Sequence, residues 1–344
     1  MVFKLCNRKY FSEVTNFIHM RILMLFLLTF TSFQTIGQNY VIYHQTFNRI
    51  DEDIIQNNYD LALVRLDSIY INYDFIYARH CIKALQISCF VGDSIKANKW
   101  LDKSFKQGIP QWILRTNGLT KRAFLFSTTI NTIQNFDSLN AIYNMSINTN
   151  LANQIDSLLL IDQKYTKKVN DGFFLFRYTI YGLSWVKNNK KQFKIINKII
   201  NEYGFPGERL IGLDRFCEDS IAMAQKINFW GPDILNEGRT YIMLLHYFST
   251  SHKKNYDFQD KLLQNLINGY IPSYQYGNIC DFISGGKNKR YSFDLIDNKM
   301  DSMQVINGNR FSIGLNSVNQ EKRNVLINRE YRKNKRANSE IILE

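Results

Sequence analysis

Apolar residues in the first third of the chain recur at steps of three and four, which is the spacing of one face of a helix. The clearest series occupy residues 59–69, 81–88 and 97–105, and a Gly92-Asp93 turn separates the last two. Glycine followed by aspartate favours a break between helices. The pattern therefore predicts helices that pair as hairpins, in a helical-hairpin domain over residues 40–150.

Two positions of this segment repeat at a fixed offset. Ala62 and Leu66 recur 35 residues later as Ala97 and Leu101, with the small residue four positions before the large one each time. A period of about 34 with a small residue where helices cross resembles the tetratricopeptide class of helical hairpins. That resemblance implies stacked hairpins that present a concave surface to a protein or peptide. A plain helical bundle without repeat ancestry is the alternative.

A second helical domain is predicted over residues 151–315. Its best-defined helix spans Asn188–Glu202 and ends before Gly204 and Pro206, while Asn188 or Asn189 offers a side-chain oxygen to its first turn. The segment Phe173–Trp185 is so rich in aromatic residues that we expect it to be buried in the core. The other predicted helices span Ile155–Val169, Glu218–Asn228, Asp233–Ser249 and Asp257–Asn268.

The pattern changes to alternation near the C-terminus. Residues Tyr276–Leu315 alternate apolar and polar side chains between turn signals at Gly285-Gly286, Asp297-Asn298 and Asn307-Gly308-Asn309. This predicts a small β-hairpin region of two or three short strands. Residues 316–344 follow as a basic tail, which we expect to be an exposed or frayed helix. The predicted fold class is thus mainly α, with a small C-terminal β-hairpin region.

An apolar run of 12 residues, Ile22–Phe33, precedes these domains. As a helix it is about 18 Å long, too short for the roughly 30 Å hydrocarbon core of a bilayer. Arg21 before the run and the small residues of Thr35-Ile36-Gly37 after it are typical of a secretory signal peptide. We therefore expect residues 1–37 to be a signal peptide, with translation starting at Met20 and cleavage before Gln38. This places the mature chain in the periplasm or outside the cell; an ordinary buried N-terminal helix is the alternative.

Export decides how the cysteines are interpreted, because disulfides form in oxidising compartments. Four cysteines follow the leader: Cys81, Cys89, Cys217 and Cys280. Cys81 and Cys89 lie about 12 Å apart along one predicted helix, beyond the roughly 7 Å limit for a disulfide. A Cys217–Cys280 bond stays open, and buried free thiols are the favoured interpretation. The sequence has no C-x-x-C motif and no two histidines four residues apart, so we predict no metal and no cofactor.

The chain carries a formal net charge of +13, from 43 Lys and Arg against 30 Asp and Glu. Part of the excess lies in the basic tail and part on one predicted helix. The basic residues of that helix face are Lys187, Lys190, Lys191, Lys194 and Lys198. Such a surface attracts nucleic acid or an anionic envelope surface. Export argues against nucleic acid, which leaves electrostatic contact with the envelope or a solvated face without a partner.

Four short motifs stand out between residues 153 and 281. They are Asp162-Gln163, Tyr203-Gly204-Phe205-Pro206 followed by Gly212, His246 after Leu244-Leu245, and Tyr276-Gly277. In this order they resemble an uncharacterised bacterial family of unknown function, whose pattern reads D-Q-x-x-R, a helix ending in Gly and Pro, Q-H and Y-G-T-Q. Thr166, Leu245 and Asn278-Ile279 depart from that pattern. The family has no assigned activity, so the resemblance implies candidate site residues without a reaction: Asp162, Gln163, His246 and Tyr276.

Chemistry at these residues would centre on His246. An imidazole titrates near neutral pH, and a carboxylate such as Asp162 fixes its tautomer, which is the arrangement of a general base. Two hypotheses about function follow. The first is a non-enzymatic exported protein that binds a protein or peptide. The alternative is a hydrolase-type enzyme with a pocket around Asp162, Gln163, His246 and Tyr276, which requires those side chains to meet in space; a purely structural histidine is the plain interpretation.

Overall fold

The computed structural model describes residues 38–213, 238–251, 255–284, 290–291 and 303–333. All regular secondary structure in these residues is helical, so the mainly α fold class is confirmed. The predicted signal peptide, the 218–228 helix, Cys217 and the tail beyond residue 333 lie outside the described residues. Within the described segments, no helix is both long and apolar enough to span a bilayer.

The α-helices are numbered in chain order. The first seven are α1 (Tyr40–Ile55), α2 (Tyr59–Asn72), α3 (Ala78–Val91), α4 (Ser94–Lys106), α5 (Gln111–Thr116), α6 (Ile130–Gln134) and α7 (Phe136–Ser146). The next are α8 (Thr149–Asp171), α9 (Gly182–Tyr203), α10 (Glu208–Ile211), α11 (Arg239–Thr250), α12 (Tyr256–Ile267), α13 (Ser273–Ile283), α14 (Met303–Ser312) and α15 (Val318–Lys333). A short helical turn at Phe174–Phe176 and a π-helical turn at Arg177–Tyr181 connect α8 to α9.

The predicted hairpins build the first of two hydrophobic clusters. Helix α1 packs on α2, and α3 packs on α4. The repeated residues Ala62 and Leu66 on α2, and Ala97 and Leu101 on α4, are fully buried. The small–large pair thus lies on the second helix of each hairpin, where a small side chain lets the neighbouring helix approach closely. The helical prediction for this segment is confirmed.

Helices α8, α9, α11, α12 and α13 supply the second hydrophobic cluster. In α9, Ile196, Ile199 and Ile200 form the buried stripe. The helix ends before Gly204 as predicted, but it begins at Gly182 instead of Asn188. The π-helical turn leads directly into it, so Asn189 is buried within the helix and does not cap it.

Buried hydrogen bonds join the two clusters. The Tyr77 hydroxyl donates to the Gly269 carbonyl at 3.0 Å. The Glu208 carboxylate accepts from the Ala78 amide at 2.7 Å and from the Gln107 side chain at 3.1 Å. The start of α3 therefore contacts the second half of the chain, and the region from Asn39 onward forms one compact unit.

The predicted C-terminal β-hairpin region is not supported by the structure, since residues 273–283 and 303–312 form α13 and α14 and the described residues contain no strand. The predicted turns at Gly285-Gly286 and Asp297-Asn298 lie outside the described residues. The buried apolar residues of α13 recur at helical spacing: Tyr276, Ile279, Cys280 and Ile283. The turn signal Asn307-Gly308-Asn309 lies inside α14, between the buried residues Ile306 and Arg310. Burial of side chains four residues apart outweighs the weak local preference of Asn and Gly for turns.

The aromatic segment 173–185 is corrected as well, because most of it is exposed. We name its exposed apolar residues the aromatic tip: Phe173, Phe174, Leu175, Phe176, Ile180 and Leu183. Their side chains are between 41% and 72% exposed. Helices α8 and α9 lie side by side, with Gln192 donating to the Leu158 carbonyl at 2.7 Å. The segment is the turn at the end of this helical hairpin, and its main contacts are with α8 and α9 themselves.

The described part of the basic tail is attached to the first helix. It forms α15, in which Val318 and Asn324 are buried. Arg323 makes an ion pair with Glu52 of α1, and Gln320 donates to the same carboxylate at 3.1 Å. The expected exposed or frayed helix is thus a formed helix, exposed at Leu326 and packed through Val318 and Asn324.

Candidate functional site

The structure brings together Asp162 on α8 and His246 on α11. The Nδ1 atom of His246 lies 2.8 Å from Oδ2 of Asp162. An ionised carboxylate only accepts hydrogen bonds, so Nδ1 carries the proton and Nε2 is the basic nitrogen of the neutral ring. The geometric requirement of a carboxylate-oriented histidine is thus met.

The pattern of α8 explains why Asp162 is buried. It follows Ile155 by seven residues, which returns it to the same helix face. Ile155 and Asp162 are both fully buried, while the His246 side chain is 23% exposed. His246 follows Met243 and precedes Phe248, both buried in the second cluster. The carboxylate therefore lies in the protein and the imidazole reaches its edge.

Helix α9 supplies two residues that the sequence analysis did not assign to this site. The Trp185 indole meets the His246 ring edge to face, with centroids 5.5 Å apart. Asn189 donates to the backbone carbonyl of His246 at 3.2 Å. The two lie four residues apart on one helix face, which is the signal that could have identified them together. Trp185 therefore packs against the imidazole, and Asn189 binds the backbone of the same residue.

The other oxygen of Asp162 is unusual. Oδ1 is buried and makes no hydrogen bond within the described residues. A buried carboxylate oxygen without a donor is costly, so such a group calls for a physical reason. Near it, Gln163 donates to Oδ2 at 3.3 Å, and the Thr166 hydroxyl donates to the Asp162 backbone carbonyl at 3.1 Å. Gln163 therefore touches the pair, but only through Oδ2.

Tyr276 lies elsewhere, in the core of the second cluster. Its ring is 6.0 Å from that of Tyr291, and burial raises the pKa of its hydroxyl well above the usual range. Its hydroxyl partners are Cys280 and Tyr291. Gln163 and His246 thus both contact Asp162, whereas Tyr276 packs in the core of the second cluster.

Two cavities lie at other places on the surface. One of about 330 Å³ is bordered by Tyr143 and Arg239. The other, of about 290 Å³, lies between Glu52 on α1 and Gln320 on α15. Neither is lined by Asp162 or His246, so the pair does not form the wall of either cavity.

Free thiols account for the described cysteines. Cys81, Cys89 and Cys280 are buried and unbridged. Burial raises the pKa of each of the three thiols to about 12, which makes them poor nucleophiles at neutral pH. In the part of the chain that the structure describes, no three His, Cys, Asp or Glu residues converge as metal ligands.

The lysines predicted to form a basic face all lie exposed on α9. Those residues are Lys187, Lys190, Lys191, Lys194 and Lys198. They follow the aromatic tip directly in the chain, so the two surfaces share one helical hairpin.

No family model, no curated protein and no solved structure matches this chain. The roles considered for its residues therefore depend on their geometry.

Proposed function

We propose that the chain is an exported binding protein that docks through the aromatic tip and catalyses no reaction. The supporting observation is the exposure of six large apolar side chains at one turn. The ring of Phe173 lies 5.0 Å from that of Phe174 and 5.7 Å from that of Phe176, so these three rings are contiguous. Contiguous apolar surface of this kind marks interaction sites.

Two sequence features support the wider proposal. The leader predicts export to the periplasm or the medium. The 35-residue offset between Ala62 and Ala97 supports a tetratricopeptide-like origin of the hairpins, a class that binds proteins and peptides. The start of α3 is occupied by contacts with Gly269 and Glu208. We therefore assign docking to the aromatic tip and not to the surface of the hairpins at the start of α3.

Fractionation of bacterial cells that express the full chain tests this function. The double variant Phe174→Ser/Leu183→Ser removes apolar area from the tip, and we expect it to leave the envelope fraction for the soluble fraction. The matched control is Ile71→Ser/Ile95→Ser, because both isoleucines are 76% exposed and belong to other helices. Equal distribution of the parent chain and the tip variant would refute docking through the tip.

Hydrolysis is the second candidate, and it is favoured by the Asp162–His246 pair. In such a reaction His246 Nε2 accepts a proton from water while the water oxygen bonds to the electrophilic carbon or phosphorus. The bond from that atom to the leaving-group oxygen then breaks, its electron pair stays on the oxygen, and the proton passes from Nε2 to it. Asp162 would hold the imidazole and stabilise its charged form. The buried Oδ1 without a donor supports a site whose hydrogen bonding is completed by a ligand.

Nitrophenyl carboxylate and phosphate esters are suitable probes of this candidate. We expect His246→Gln to abolish hydrolysis, because glutamine cannot accept the proton from water as a general base does. Tyr276→Phe is the control, since its hydroxyl points to Cys280 and Tyr291. If His246→Gln still hydrolyses the esters, or if the parent chain hydrolyses neither class, the hydrolase candidate is refuted. The Asp162–His246 pair then has a structural role only.

A further inference from the structure

We infer that the aromatic tip and the lysines beside it dock the protein on the surface of an anionic lipid bilayer. This rests on the proposed docking function and names the surface that the tip contacts. Three features of the hairpin formed by α8 and α9 support it: the placement of its charges, the rigid geometry of its turn and the chemistry of its exposed side chains.

Positive charge is concentrated next to the tip. Between residues 163 and 201 the chain has nine basic residues and one acidic residue, Asp171, a net charge of 9 − 1 = +8. Six exposed lysines lie near the turn. Three are in the last turns of α8 (Lys164, Lys167 and Lys168) and three are in the first turns of α9 (Lys187, Lys190 and Lys191). At 1.5 Å per residue they lie within roughly 14 Å of the turn along the two helix axes.

These six lysines have no carboxylate partner among the described residues. Lysines elsewhere do pair, as Lys96 and Lys99 do with Asp67 at 2.8 and 2.9 Å. The hairpin therefore presents uncompensated positive charge. An anionic lipid surface attracts such a segment by about 1 kcal/mol for each lysine close to it.

The turn holds the tip residues in a fixed arrangement. The Arg177 guanidinium donates to the Gly172 carbonyl at 2.7 Å across the π-helical turn. The ring of Tyr181 packs so close to Gly172 that a side chain there would overlap it. The Phe176 and Tyr181 rings lie 6.1 Å apart in an edge-to-face arrangement. The exposed rings thus belong to an ordered turn at the end of the hairpin.

The combination of chemistries favours lipid over a protein partner. Phenylalanine and leucine side chains flanked by lysines are the composition of segments that insert into the headgroup region. Aromatic and aliphatic side chains enter the acyl boundary, while lysine stems reach back to the phosphates. A protein partner would need to supply an acidic rim around an apolar pocket, whereas an anionic bilayer supplies both layers everywhere on its surface.

Vesicle co-sedimentation tests the inference with the protein isolated after export from cells that express the full chain. Vesicles of phosphatidylcholine are compared with vesicles in which roughly one-third of the lipid is phosphatidylglycerol. We expect binding to the anionic vesicles, weak binding to the neutral ones, and release as salt is raised, because salt screens the lysines.

Two sets of variants divide the surface. Phe174→Ser/Leu183→Ser should weaken anionic-vesicle binding at least about tenfold, since one fully buried apolar side chain already changes an equilibrium constant by roughly that factor. The triple variant Lys187→Gln/Lys190→Gln/Lys191→Gln should weaken it by a similar or larger factor. The controls are Ile71→Ser/Ile95→Ser and Lys121→Gln/Lys261→Gln/Lys322→Gln, which change exposed residues outside the hairpin. Far-UV circular dichroism checks that every variant is folded.

Binding that the tip and lysine variants lose and the controls keep supports lipid docking. Absence of vesicle binding, or equal binding to neutral and anionic vesicles, overturns it. If vesicle binding is absent and the tip variant still loses envelope association in cells, the docking function stands with a protein as the partner. If light scattering shows dimers that the tip variant abolishes, the tip binds a second copy and the lipid inference is refuted.

Discussion

The chain contains two aromatic-rich regions, of which one is buried and the other is exposed. Residues of α1 and α3, with Tyr77 between the hairpins, form a buried group of rings: Tyr40, Tyr43, Phe47, Tyr77 and His80. The aromatic tip is even denser in sequence, yet its rings are exposed. Composition does not distinguish the two regions. The difference is that the first group is covered by other helices, whereas the tip is the turn at the end of a hairpin.

Polar contacts distinguish the two regions as well. In the buried group the Phe47 and His80 rings stack at 3.7 Å, and the Tyr43 hydroxyl lies 2.7 Å from His80 Nδ1. The Tyr77 hydroxyl reaches the Gly269 carbonyl. The buried tyrosine hydroxyls of this group thus have hydrogen-bond partners, as burial requires. The six residues of the aromatic tip have apolar side chains only, so they carry no such requirement.

The largest expected effect is on stability, from the same substitution made in both regions. Phe47→Ala empties a fully buried position and should lower the free energy of unfolding by about 3–5 kcal/mol. Phe174→Ala changes an exposed ring and should stay within about 0.5 kcal/mol of the parent. Urea unfolding followed by circular dichroism measures both. Similar losses for the two variants would mean that the tip is buried in solution.

Lysines provide a second form of the same comparison. Lys83 is buried and pairs with buried Asp51 at 2.6 Å, whereas Lys187 is exposed on α9. Lys83→Met removes one partner of a buried ion pair and should cost roughly 3 kcal/mol. Lys187→Met should change the free energy of unfolding by less than about 0.5 kcal/mol. The same urea experiment decides, and an undisturbed Lys83→Met variant would contradict the burial of this pair.

The sequence predicts helices well where apolar periodicity and burial coincide. In α2 and α4 the repeated Ala and Leu positions face the core, so the pattern and the packing agree. It fails where tertiary packing decides the burial: nothing local to residues 173–183 indicates that no other helix in the described part of the chain covers them. The alternation over Tyr276–Leu315 predicts short strands, although Tyr276, Ile279, Cys280 and Ile283 within it also satisfy helical spacing.

The candidate site was predictable in part. Asp162 and His246 are 84 residues apart in sequence, and only the order of the short motifs predicts that they meet. The sequence does not assign Trp185 to the site, because the aromatic segment around it predicts a buried core. Tyr276 was placed in the site by its motif, but its neighbours Ile279 and Cys280 carry it into the second cluster. Short motifs indicate candidate residues, but the packing of the helices determines which of those residues lie close together.

The geometry of the turn gives a smaller prediction. A Cβ at Gly172 would overlap the Lys168 carbonyl and lie 2.7 Å from the Tyr181 ring. Gly172→Ala should therefore cost about 1–3 kcal/mol of unfolding free energy by overpacking, and near-ultraviolet circular dichroism should show a changed tyrosine environment. Gly308→Ala is the control, because open space surrounds that position within α14 and alanine favours the helix. A Gly172→Ala variant as stable as the parent would show that the turn is not held in this conformation.

The smallest effect per group concerns the thiols, which report burial through their titration. Burial raises the pKa of Cys81 and Cys89 in the first cluster, and of Cys280 in the second, from 9.0 to about 12. In the unfolded chain these thiols lose their protons above pH 9, while the folded chain still holds them. Unfolding free energy should therefore be constant well below pH 9 and fall between about pH 9 and 12, by between about 1 and 2 kcal/mol per thiol at pH 10. Labelling with a thiol-specific disulfide reagent at pH 8 checks the same claim, since Cys81, Cys89 and Cys280 should react slowly in the native chain and quickly in denaturant. Rapid labelling of these three cysteines in the native chain would place them at the surface, as the aromatic tip is, and not in the core with the rings of α1.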